Sequence, residues 1–161
     1  MRNFVLVVAV MVLGLTARAQ SISLLNLTNL TSLSNKQAAD DITARKQFKL
    51  QSGEEIDGFL VETYQTLAPR NKLETVVVGK GYKLASGGVL HTVTYTSANP
   101  QDVMNLMAQT KSINVQQSFH GADAYDNIYI FDSFLYRMTV RIKLDDSRSV
   151  VEISQKQVLV E

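Results

Sequence analysis

Cysteine and tryptophan are absent from this 161-residue chain, and proline occurs only twice. Without cysteine there is no disulfide framework, no thiolate nucleophile and no thiolate metal cluster. With prolines at 69 and 100 alone, long stretches stay free to pair as strands. An excess of one charge is missing too: 16 Lys and Arg stand against 15 Asp and Glu. With no basic run, the chain offers no electrostatic footprint for nucleic acid or anionic lipid. No apolar run reaches the roughly 20 residues that a membrane helix needs. A G-x-S-x-G elbow, a complete phosphate loop and any established metal-ligand spacing are likewise missing.

What is present begins with an export-like leader. Arg2 supplies a positive start, Phe4 to Leu15 is an unbroken apolar run, and Ala17-Arg18-Ala19 places small residues where a signal peptidase reads. Residues 1–19 are therefore expected to be a signal peptide rather than an anchor helix, leaving Gln20 to Glu161. Losing Arg2 and Arg18 leaves 14 basic against 15 acidic residues. An exported chain of this length without disulfides points to a bacterial periplasmic or extracellular protein. The two Asn-x-Thr triplets at Asn26 and Asn29 then read as accidents of composition.

Residues 20–34 form a Leu/Asn/Thr-rich arm with leucines at 24, 27, 30 and 33. A period of three suits neither a strand nor a straight α-helix, so the arm either packs over its own domain or binds another chain. A helix is predicted from a cap at Ser34 or Asn35 through about Lys46, with Ala38, Ala39 and Ile42 as its buried stripe. Phe48 to Leu50 reads as a short strand and Ser52-Gly53-Glu54-Glu55 as a turn. Phe59 to Leu67 fits a strand or a helix; the strand is preferred. The strongest β signal is the hairpin from Leu73 to Ser97, two β-branched runs joined across a glycine-bearing connection.

Asn99-Pro100-Gln101-Asp102 then starts a second helix through about Lys111, with cap, first-turn proline and an acid near the positive end of the dipole. Ile113, Val115, Gln117 and Phe119 alternate as a half-buried strand, and His120 to Asp123 should turn the chain. Ile128 to Phe131 is a short apolar strand. In Phe134 to Leu144, Tyr136, Met138, Val140, Ile142 and Leu144 point one way and Arg137, Thr139, Arg141 and Lys143 the other. Asp145-Asp146-Ser147 turns into a last strand at Val150 to Ser154, and Val158-Leu159-Val160 is an apolar tail.

The two halves, 35–97 and 98–155, follow one order of elements, which suggests a tandem helix-plus-strands duplication. The expected fold is α+β: an antiparallel β-sheet of roughly six to eight strands with two α-helices packed on one face, a single domain over 35–161. This element order is similar to that of secreted β-lactamase-inhibitor-type proteins and PepSY-like domains.

Candidate chemistry is thin. His120, Asp123 and Asp126 have the right ligand types for zinc but lie in a turn with no metal spacing. His91 sits mid-strand beside Val89, Val93 and Tyr95, which reads as structural rather than as a catalytic base. Gly79-Lys80-Gly81-Tyr82 lacks the spacing and the following helix of a phosphate loop. The carboxylate pairs at 40–41, 54–55 and 145–146 are solvated neighbours. The expectation is therefore a non-enzymatic module with no cofactor and no metal, whose partner is another protein. The candidate interaction surface comprises Arg137, Arg141, Lys143, Tyr64 and Tyr82, with Tyr129 as a further aromatic. A small-molecule carrier with an apolar pocket between helices and sheet is the alternative, and a hydrolase using His91 or His120 is the lesser one.

Overall fold

The computed structural model describes residues 21–69, 72–85, 87–145 and 148–156. The leader over 1–19 and the tail Val158-Leu159-Val160 lie outside the described residues, as does most of the turn at 145–147.

Among the described residues, three α-helices and eight strands follow one another. They are α1 (Leu24–Leu30), α2 (Asn35–Ala44), β1 (Phe48–Ile56), β2 (Phe59–Thr66), β3 (Glu74–Lys83), β4 (Val89–Ser97), α3 (Pro100–Ala108), β5 (Gln116–Ala122), β6 (Asp126–Asp132), β7 (Tyr136–Lys143) and β8 (Ser149–Gln155). A 3-10 turn, Gln109–Ile113, continues α3. All eight strands form one antiparallel sheet in the order β1-β2-β3-β4-β8-β7-β6-β5. Each half of the chain is a four-stranded meander, and the last strand of one pairs with the last strand of the other. That is the α+β class the hydrophobic pattern predicts, in an arrangement that matches the shared element order of the halves.

The arm holds a helix that the period of three concealed. Ser23 caps α1 in a reciprocal box with Asn26, and Leu24, Leu27 and Leu30 are fully buried. In so short a helix, residues three apart still share a face, and tertiary burial overrides the poor helix propensity of Asn and Thr. Ser34 caps α2 with Gln37 in the same way, and Asn99 caps α3 ahead of Pro100.

Three expected boundaries are corrected. Ser52 to Glu55 is strand, and the chain reverses instead at Asp57-Gly58, whose φ of 54° and 76° suits a two-residue hairpin turn. Ile113 lies in the 3-10 turn, and Asn114, with φ 55°, ends it, so β5 starts only at Gln116. His120 to Ala122 is strand, and the reversal comes at residues 123–125.

Cross-strand register puts nearly every buried strand residue on one face. Phe48, Tyr64, Val76, Val78, Val93, Tyr95, Val151, Ile153, Met138, Val140 and Phe131 align there across the strands. Leu24, Leu27 and Leu30 of α1, Ala38 and Ile42 of α2, and Val103 and Leu106 of α3 join the same apolar cluster. At about 25 cal/mol per Å² of apolar surface, this cluster is the main source of stability.

Candidate functional site

Among the described residues, the opposite face of the sheet contributes no side chain to that apolar cluster. Alternation on the strands dictates its composition, since each residue between two core positions must point the other way. One row runs straight across all eight strands: Ser52, Thr63, Val77, Thr94, Glu152, Thr139, Ile130 and Phe119. The next row reads Gln65, Thr75, Thr96, Val150, Arg141, Ile128 and Gly121. Threonines dominate the centre, and aliphatic side chains with Phe119 occupy the β5–β6 side.

Three bulges shape this face, the first in β1 between Leu50 and Ser52, which turns Ser52 outward opposite Thr63. In β3, Gly79 and Lys80 stand opposite the single residue Thr92. Gly79 has φ +139°, and a Cβ there would lie 2.1 Å from the Leu60 carbonyl oxygen, so only glycine fits. The extra residue changes the facing of the rest of β3, and Tyr82, 54% exposed, pairs with Leu90 on the open side. In β5, the register slips between Gln117 and Phe119. Gln117 therefore shares the core face with Phe131, while Phe119 turns outward beside Ile130. The simple alternation of 113, 115, 117 and 119 missed this reversal; the slip carries no sequence signal beyond Ser118, whose hydroxyl bonds Asp132 at 2.7 Å.

Arg137, Arg141 and Lys143 all lie on the open face, as the strand pattern predicts. Arg137 and Lys143 are opposed by carboxylates on β6, Asp132 at 3.9 Å and Asp126 at 3.7 Å. Lys156 completes the Asp132 pairing at 2.7 Å, and this ammonium, with the Ser118 hydroxyl, holds the Asp132 carboxyl below its ordinary range. Arg141 is exposed, faces Ile128 and Val150, and makes no ion pair among the described residues. A cleft of about 380 Å³ opens beside these rows, lined by Lys80, Tyr82, Leu90, Thr92, Glu152 and Ser154.

Tyr64 does not belong to this surface. It is 1% exposed and packs in the core opposite Val76, because its neighbours Thr63 and Gln65 take the outward positions. Burial first, then the Glu62 carboxylate, push its hydroxyl well above the ordinary tyrosine range. Tyr129 is on the covered face as well, half-buried and stacked on His120 with ring centroids 4.3 Å apart.

The other sequence candidates are structural in their contacts. The Asp123 carboxylate accepts hydrogen bonds from the backbone N–H of Tyr125 (2.8 Å) and of Asp126 (2.7 Å), which hold it below its ordinary range and fix the β5–β6 turn. Among the described residues no group of three or more metal-ligating side chains converges. His91 is 2% exposed, with Nδ1 3.4 Å from the Gly79 carbonyl. Its backbone N–H, freed by the β3 bulge, donates instead to the Thr31 carbonyl at 2.7 Å and ties α1 to the sheet.

One polar cluster under the helices carries no signature in the sequence. Glu74, 8% exposed, accepts from the Tyr95 hydroxyl at 2.8 Å and from the Ser21 hydroxyl, and its backbone N–H donates to Thr66 Oγ1 at 3.0 Å. Burial raises its carboxyl above the ordinary value, the two hydroxyl donors offset part of that, and Asp102 adds like-charge repulsion. Tyr95 is pushed up in turn, by burial first and then by Glu74. No helix among the described residues is long and apolar enough to cross a membrane. The chain matches no protein-family model, and no curated protein matches it in sequence.

Proposed function

We propose that the chain is an exported, non-enzymatic protein-binding module whose contact surface is the uncovered face of the sheet. The observation that carries this reading is the asymmetry of the sheet. Side chains of one face share an apolar cluster with α1, α2 and α3, while the other leaves Val77, Ile128, Ile130, Phe119 and Tyr82 partly or fully exposed among threonines. Such a surface has a rigid backbone, a mixed apolar and polar composition and aromatic groups at its margins, which suits a standard protein interface. Export to the periplasm or beyond is favoured by the leader-like N-terminus and the lack of cysteine.

The test places bulk at the centre of the face, where Thr94 and Thr139 flank Glu152. Wild-type protein over 20–161 retains a partner from periplasmic or surface extract. A variant with Thr94→Arg and Thr139→Arg, of unchanged circular dichroism and melting temperature, loses it, while Lys36→Glu on α2 retains it. Equal capture by all three proteins refutes the assignment of the face.

A second reading, small-molecule carriage, is favoured by a cleft of about 560 Å³ between the segment at 32–37 and the β3–β4 connection, lined in part by Leu84, Val89, Leu90 and His91. A thermal-shift panel showing stabilisation that Val89→Trp abolishes supports it over the first.

A further inference from the structure

We propose that the partner meets the open face with a single carboxylate set among apolar side chains, seated over Arg141. This rests on the reading of that face as a protein-binding surface. Of the three cations on β7, the outer two are already matched across the strand pair, Arg137 by Asp132 and Lys143 by Asp126. Arg141 alone makes no ion pair among the described residues; it stands between Ile128 and Val150, and its charge reaches the Asp123 carboxylate in the β5–β6 turn, which is already held by two backbone N–H groups. A guanidinium flanked by aliphatic groups is weakly hydrated and presents a planar fork, so an arriving carboxylate gains a bidentate, water-shielded pair.

The flanking surface sets the apolar part of the partner. Ile128, Ile130 and Phe119 lie together on the β5–β6 side of Arg141, and the Phe119 ring covers Gly121, where a Cβ would sit 2.6 Å from it. Glu152 limits the acidic part. It is exposed on β8 between Thr94 and Thr139, adjoining the row that holds Arg141. A run of negative charge crossing β7 towards β4 therefore meets repulsion, which selects one acid in an apolar context and disfavours polyanions.

Random linear peptides displayed on phage and selected on immobilised wild-type protein test this. The enriched sequences are expected to share an Asp or Glu beside Leu, Ile, Val or Phe. Their synthetic forms should bind wild type and lose about tenfold or more in affinity with Arg141→Glu, and an acid-to-Lys peptide should recover binding to that variant. Peptides abolished by Thr94→Arg yet indifferent to Arg141→Glu overturn the inference and leave the binding face standing. Peptides indifferent to both, or no enriched sequence at all, count against the face itself. Heparin binding that depends on Arg141 also overturns the inference, since it would make the site a polyanion site.

Discussion

Replacing Glu74 with glutamine should stabilise the protein at neutral pH and remove a defined part of its pH dependence. Glu74 is 8% exposed beneath the helices, and burial outweighs the donated hydrogen bonds of Ser21 and Tyr95, so its folded-state carboxyl titrates above the ordinary 4.5. A raised carboxyl is stabilising in its neutral form. The contribution is fully present below the unfolded value and is lost as pH rises through the folded one. Between those two values the native state holds one proton more than the unfolded chain. Stability from this group then falls by up to about 1.4 kcal/mol per pH unit. Glutamine keeps a carbonyl for the Tyr95 hydroxyl and cannot ionise. Urea unfolding of both proteins at steps from pH 4 to pH 8 should give equal stabilities at the acid end. The curves should then diverge until the carboxyl is ionised in both states. From there the variant stays above wild type by about 1.4 kcal/mol for every pH unit separating the folded from the unfolded titration. A constant difference at every pH, or a variant less stable at neutral pH, refutes the account of Glu74 as a buried acid held against desolvation.

Leu27→Ala should cost about 2–5 kcal/mol in urea unfolding, because Leu27 is fully buried on α1. Leu25→Ala, at a position 56% exposed on the same helix, should stay within about 0.5 kcal/mol, and equal effects would mean the arm is not docked. Gly81→Ala places a Cβ 2.0 Å from the Leu90 carbonyl oxygen, so strand β3 must shift at a cost at the top of about 1–3 kcal/mol, read as a lowered urea midpoint. Asp132 is held below 3.8 by Lys156 and Ser118; its contribution is present above the unfolded value and lost as pH falls through the folded one. Asp132→Asn should therefore lower stability at neutral pH by no more than about 1 kcal/mol for a surface pair, read as a lower melting temperature, and the difference should close as pH falls through the folded value.

Much of the fold was legible because its signals are local. The β3–β4 hairpin, the alternation of β7 and the Asn99-Pro100 start of α3 each declare themselves within ten residues. So did the facing of Arg137, Arg141 and Lys143, because β7 runs without a bulge. Tyr64 and Phe119 were misread for the same reason in opposite directions. Facing depends on exact phase: β5 slips its phase at Ser118, while in β2 the charged Glu62 lies on the same face as Tyr64 and makes that face read as outward. Helix α1 stayed hidden because Asn, Thr and Ser are weak helix formers, and its stability comes from the sheet beneath it. The Glu74 cluster was invisible because Ser21, Glu74 and Tyr95 are brought together only by register and by the docking of the arm.

The pairing of β4 with β8 also orders the assembly of the molecule. Every other strand pair but this one joins neighbours in sequence, so each meander closes through short loops at little entropic cost. The seam instead unites strands more than fifty residues apart, and it must wait until both halves have formed. Until then each half presents a bare, β-branched edge, Val93-Thr94-Tyr95 on one side and Val150-Val151-Glu152 on the other. Those edges are complementary within a chain and equally so between chains, so crowded refolding favours exchange of halves between two copies.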